Sequence, residues 1–231
     1  MASVDMPNKR RKLDLTETYT VVVGAGDAQK AFNIHKSFLS KTSEFLKRAC
    51  NGDWKEGEAK KIEFPEQAPE VFEIYLQWLY TGDLVFLEEA TPSKDAPGVE
   101  GYAARAFHSL VDLYCLADML RDSHACNTVI NKIIKMSKKI LCGPLASEVS
   151  RVYAMTTKTS KLRLLFVDYY ATYCDRDFYQ NSSNALPHDF LTDVLGNMAT
   201  RLRSGSNRLA APGDVPKCTY HEHNDACPRC L

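Results

Sequence analysis

The stretch from Lys61 to Gly82 constrains this chain more than any other. It opens on a short strand candidate, Lys61-Ile62-Glu63-Phe64, which Pro65 stops. Pro69 then suits the first turn of a helix, where a missing N–H costs nothing. Phe72, Tyr75, Leu76 and Leu79 fall at i, i+3, i+4 and i+7, one face of a 3.6-residue period. Val71, Ile74 and Trp78 add a second apolar face and leave Glu70, Glu73 and Gln77 as a narrow polar stripe. A helix that is apolar nearly all round is buried, so this one needs cover on two sides, from a sheet and from other helices. Thr81-Gly82-Asp83 ends it, with Gly82 suited to a left-handed cap.

The 231 residues suffice for one large domain or two small ones. A net charge of zero argues against electrostatic attraction of the whole protein to nucleic acid or membrane, and leaves room only for local basic clusters. No apolar run approaches the roughly 20 residues of a membrane span, and the N-terminal stretch lacks the apolar segment of a secretory signal. Eight cysteines lie scattered through helical-looking sequence, apart from three near the end. That usage fits a reducing compartment, nucleus or cytoplasm, better than a disulfide framework.

Residues 1–15 show no hydrophobic period and carry Lys9-Arg10-Arg11-Lys12, which reads either as a nuclear-import signal or as a solvated tail. Thr18 to Val23 is a strand by its β-branched content. Gly24-Ala25-Gly26 after it suggests a dinucleotide loop, but the third glycine position of that fingerprint falls on Gln29. A hairpin turn into a second strand, Lys30 to Ile34, explains the glycines better. A helical segment begins around His35 to Leu39, and Ser40 or Thr42 can cap the next, in which Phe45, Leu46 and Ala49 face inward. His35 has no Cys or acid at ligand or triad spacing, so a packed, hydrogen-bonded role is expected. Asn51 to Lys60 reads as a surface loop that holds Trp54, either a lid on the core or an exposed contact.

The ordered anchors Phe32-x-x-His35-Lys36-x-x-Leu39, Ser43 and Phe45 within a helix, Ile62-x-Phe64, the Phe72 to Gly82 helix and Leu113-Tyr114-x-Leu116-Ala117-Asp118 resemble a BTB/POZ domain. The resemblance covers roughly Tyr19 to Ile134. It implies an α+β fold, a small sheet with flanking helices, that binds proteins and often pairs with itself.

Glu88 to Gly101 reads as a flexible loop. Helical periodicity returns over Tyr102–Arg121 and again through Val129, Ile130, Ile133 and Ile134 to the basic run Lys135–Lys139, which reads as a solvated, dipole-matched helix end. Gly143-Pro144 breaks the chain. Helices follow near Leu145–Met155, Leu162–Cys174 and Asp189–Leu202, and they resemble the helical extension of many fungal BTB proteins. The expected organisation is a basic arm (1–15), a BTB/POZ domain (16–140), an all-α extension (141–202), a Gly/Ser/Pro-rich linker (203–216) and a Cys/His-rich tail (217–231).

That tail is the one inorganic signal. Cys227-x-x-Cys230 has zinc-knuckle spacing, and Cys218-x-x-His221 completes a tetrahedral set, with His223 an alternative ligand. Four protein ligands leave no open position, so the expectation is structural zinc; the alternative is a tail whose cysteines are incidental. Similar Cys/His tails close many fungal members of the resembling family. No nucleophile–base–orienter set occurs, and Asp112 and Asp118 read as surface acids, so an enzyme is not expected.

The resemblance also points to a partner site. In BTB adaptors of ubiquitin ligases a hydrophobic-x-Glu triplet ahead of the third strand meets the cullin scaffold, and Trp54-Lys55-Glu56 matches it in type and position, although Trp54 is bulkier than the usual residue. An aromatic anchor beside an orienting carboxylate is the composition of an interface hot spot. The reading is a protein-interaction module that forms a homodimer and serves as a substrate adaptor of a cullin-type ligase. The alternative is a nuclear regulator acting on chromatin proteins or DNA through the basic arm and the zinc tail; membrane contact is not expected and nucleic-acid contact is disfavoured.

Overall fold

A computed structural model describes residues 13–51, 55–84, 94–95, 97–140, 143–203, 211–224 and 227. Three strands, β1 (Thr18–Val23), β2 (Lys30–His35) and β3 (Lys61–Phe64), form a sheet in the order β2-β1-β3. β1 pairs antiparallel with β2, Val21 opposite Phe32, and parallel with β3, Val21 opposite Ile62. The central strand is buried on both faces, which is why it reads as the unbroken run Val21-Val22-Val23 rather than as an alternation. Gly24 and Gly26 take φ of +85° and +59° in the β1–β2 connection, so the glycines serve a tight reversal, as expected. At Gly24 an added Cβ would also lie 3.2 Å from the carbonyl of Ala28 and from Pro69.

Helices α1 (Lys36–Thr42), α2 (Glu44–Ala49) and α3 (Lys55–Ala59) separate β2 from β3. The residue that caps α2 is Ser43, neither Ser40 nor Thr42: its Oγ accepts from the Leu46 N–H at 3.0 Å and donates to the Leu120 carbonyl at 2.6 Å. Ser40 and Thr42 sit inside α1, where Ser40 bonds back to the Lys36 carbonyl. Leu46 is buried as expected, but Phe45 is 44% exposed. The segment 51–60, expected as a loop, contains α3.

Helix α4 (Pro69–Thr81) is the rod expected from the sequence, with Pro69 at its first position and Gly82 at φ +79° closing it through an N–H to the Trp78 carbonyl. Phe72, Tyr75, Trp78 and Leu79 are buried, while Val71, Ile74 and Leu76 are half-covered. Its cover is supplied mainly by α5 (Val99–Met119), which packs in turn on α6 (Ser123–Ile140). Half of the expected loop 88–101 lies outside the described residues, and α5 begins at Val99, three residues sooner than the periodicity implies.

Beyond Pro144, α7 (Ala146–Met155), α8 (Lys161–Tyr173), α9 (Arg176–Ser182) and α10 (His188–Arg203) form the helical extension. α7 packs on the far side of α5 and on α8, and α10 lies along α8. A single apolar core runs from the sheet through α4, α5 and α6 into α8 and α10. Among the described residues no helix is long and apolar enough to cross a membrane.

Candidate functional site

Two features of this frame are candidates for a functional site. The first surrounds the α5–α6 junction, where the N–H groups of Glu44 and Phe45 meet the carbonyls of Arg121 and Leu120 at 3.4 Å. Phe45 stands 6.0 Å from the Phe64 ring, and Met119, 42% exposed, accepts a contact from Gln67 Nε2 at 3.6 Å. Two large apolar side chains thus reach solvent beside the end of the sheet. Of the expected partner residues, Glu56 lies in α3, immediately ahead of β3, and Trp54 lies outside the described residues. So does the basic cluster Lys9-Arg10-Arg11-Lys12.

Beneath that surface Asp122 is fully buried and accepts from Thr42 Oγ1 at 2.6 Å, Tyr75 Oη at 2.9 Å and the Ala125 N–H at 3.0 Å. One carboxylate therefore ties α1, α4 and the start of α6 together. Burial, with this carboxylate beside it, pushes the Tyr75 hydroxyl well above the usual phenol range. On the other side of the core, Tyr80 stacks on Phe38 with ring centres 4.2 Å apart. His35 Nδ1 lies 2.9 Å from the Tyr80 hydroxyl, the packed, hydrogen-bonded role expected of that histidine.

The two acids read as solvated are not so. Asp112 holds Arg151 of α7, and Arg151 also meets the buried Glu148 at 3.1 Å, with His108 Nδ1 3.2 Å from Glu148. This cluster fastens α5 to α7. Asp118 is half-buried, and burial raises its carboxyl above the usual range, with Arg121 opposing. Lys138, read as part of a solvated helix end, donates to the Gly213 carbonyl at 2.7 Å and to Asp214 at 3.1 Å.

The second feature is the Cys/His segment, whose described residues, 217–224 and 227, pack on the helices. Residues 211–216 of the expected linker approach α6 through those Lys138 contacts, and the turn Lys217–Thr219 follows. Tyr220 is buried and donates to Asp168 Oδ2 at 2.6 Å, while Arg201 of α10 holds the other oxygen of the same carboxylate. The next residues run down one face of α6, on which Ser123, Asn127 and Asn131 recur every fourth position. Asn224 Nδ2 donates to Ser123 Oγ at 3.2 Å, and Asn131 Oδ1 lies 2.9 Å from His221 Nε2. Asn127 is spent wholly on the segment. Its Oδ1 accepts the Glu222 N–H at 2.8 Å, and its Nδ2 donates to the Glu222 carbonyl at 2.8 Å and to Cys227 Sγ at 3.4 Å.

Of the expected metal ligands, His221 and Cys227 are therefore buried against α6. Cys218, His221 and His223 share the lining of a cleft of roughly 680 Å³ between α6 and the start of α8. Burial raises the Cys227 thiol, and the Asn127 amide opposes that shift. Cys230 lies outside the described residues, and among the described residues no three His, Cys, Asp or Glu side chains converge on one metal position. The Cys227 sulfur faces the amide N–H of Asn127, and the His221 ring faces the amide oxygen of Asn131.

Residues 8–94 match the family model of the BTB/POZ domain. The chain thus carries a BTB domain, a small three-stranded sheet with flanking helices, followed by a helical C-terminal region. A BTB domain is a module for contact between proteins, generally without catalytic activity of its own. No curated protein matches the chain.

Proposed function

We propose that this BTB protein is a self-associating adaptor that brings a client protein to a cullin-type ubiquitin ligase. The observation that carries the reading is the Trp54-Lys55-Glu56 triplet, ahead of β3 in the sequence of a BTB domain that exposes Phe45 and Met119 beside the end of that strand. Aromatic and apolar anchors ringed by polar residues are what an interface core requires. The helical extension and the Cys/His segment supply the surface for the client. Within that segment, Cys218, His221 or His223, Cys227 and Cys230 hold a structural zinc ion; the support is the burial of His221 and Cys227 and the cleft that Cys218 shares with both histidines. The Lys9–Lys12 cluster serves nuclear import, so that the protein works in nucleus and cytoplasm.

The test is titration calorimetry of the purified chain against the amino-terminal domain of a cullin. Micromolar or tighter binding is expected, lost in the Trp54→Ala/Glu56→Ala double variant. Wild-type affinity in that variant, or no cullin binding by the wild type, overturns the adaptor reading. Sedimentation equilibrium checks self-association, and a monomer throughout the micromolar range removes the dimer.

A further inference from the structure

The face of α6 that holds the C-terminal segment contains more than a backbone clamp needs. Asn127 already grips Glu222 through both its N–H and its carbonyl, which suffices to dock an extended chain. The remaining N–H of the same amide points at the sulfur of Cys227. A neutral thiol is a weak acceptor, so a buried amide hydrogen aimed at it gains its full value only when the sulfur carries charge, as a metal-bound thiolate does. One turn along the helix, about 5.4 Å of rise, Asn131 Oδ1 faces His221 Nε2. An amide oxygen can only accept, so the proton sits on Nε2 and the lone pair of the neutral ring is on Nδ1. Fixing the tautomer of a ligating histidine through its distal nitrogen is what an outer-shell partner does in metal sites.

We infer that Asn127 and Asn131 are the positioning residues of the proposed zinc site, presenting the Cys227 sulfur and the His221 imidazole to the metal, so that metal loading and the docking of residues 220–224 and Cys227 on α6 form one equilibrium. The inference rests on the zinc reading above and deepens it. It accounts for two amide side chains, one of them buried, at a four-residue interval on the face of α6 that meets the segment. It also assigns a regulatory consequence: withdrawing zinc frees the segment from α6 and uncovers Ser123 beside Glu44, the two side chains that Asn224 now bridges at 3.2 and 3.4 Å.

The experiment uses the full chain and zinc itself. Zinc content is measured on wild type, Asn127→Asp, Asn131→Leu and Asn131→Asp, affinity by chelator competition, and cobalt-substituted protein is examined by absorption spectroscopy. Asn127→Asp keeps the acceptor for the Glu222 N–H and removes only the donors, and Asn131→Asp keeps the acceptor for His221. The expected result is one zinc per wild-type chain and a loss of roughly 10–100-fold in affinity for Asn127→Asp and Asn131→Leu. Asn131→Asp should recover affinity close to wild type, and Asn127→Asp should shift the sulfur-to-cobalt charge-transfer band, which mere loosening of the segment would not do. Zinc bound equally by all four proteins overturns the role of the two asparagines and leaves the zinc reading standing. No zinc in the wild type overturns the zinc reading itself. Circular dichroism confirms that each variant is folded.

Discussion

Replacing Asp122 by alanine tests whether one buried carboxylate holds three helices together. The substitution removes the side-chain cap of the Ala125 N–H, worth about 1 kcal/mol. It also takes a charged acceptor from the hydroxyls of Thr42 and Tyr75, each worth about 1.5–3 kcal/mol when the acceptor is ionised. Releasing the carboxylate from its buried position offsets part of this, leaving a net loss of about 3–5 kcal/mol, the range seen when one partner of a buried charged group is deleted. For a chain of this size that corresponds to a fall in Tm of roughly 10 °C. Urea unfolding should show the midpoint falling with an unchanged slope, which marks a change in stability rather than in the compactness of either state. Tyr75→Phe alone should cost about 1.5–3 kcal/mol, and in the double variant the two losses should not add, because both remove the same contact. A loss below about 1 kcal/mol for Asp122→Ala, or full additivity with Tyr75→Phe, would refute the assignment of Asp122 as the tie.

Trp78→Ala opens a cavity at the base of α4 and should lower stability by about 3–5 kcal/mol in the same urea assay. Gly82→Ala forces a side chain into φ +79° with open space around it, so only backbone strain is felt, about 1 kcal/mol by thermal melting. Glu17 pairs with Lys60 and Lys36, which hold its carboxyl below the usual range. A depressed carboxyl favours the fold above the unfolded value and loses that effect as the pH falls through the folded one. Glu17→Gln should therefore melt slightly lower than wild type near neutrality and at the same temperature in strong acid.

The elements with a repeating apolar pattern were legible from the letters alone. α4 announced both ends, with Pro69 and Gly82, and α5, α6, α8 and α10 lie within a few residues of their periodic stretches. What escaped was held by contacts distant in sequence. Asp122 looks like an ordinary helix cap, and only the fold brings Thr42 and Tyr75, 80 and 47 residues away, onto it. Ser40, Thr42 and Ser43 are alike as cap candidates in the letters; the bond from Ser43 to the Leu120 carbonyl, 77 residues away, helps fix which of them caps α2. α9 has no clear period; Asp175, accepting the Phe178 N–H at 2.9 Å, was the available signal, and the Phe178 ring packed edge-on against Tyr170 fixes the helix in place. In the candidate site the Cys and His spacing stood out, whereas Asn127 and Asn131 did not. An asparagine on a helix carries no mark of what it will face.

Helix α5 is a wall shared by two rooms. It packs against α4 and also carries the His108–Asp112 cluster that grips α7. From this helix Tyr114 meets both Ser160 and Glu222. A fragment ending before Val99 would strip α4 of its main cover, and one beginning at Ala146 would lack the surface on which α7 rests. Heat should accordingly melt both halves in a single calorimetric peak, and any substitution that loosens the middle of α5 should shift that peak without splitting it.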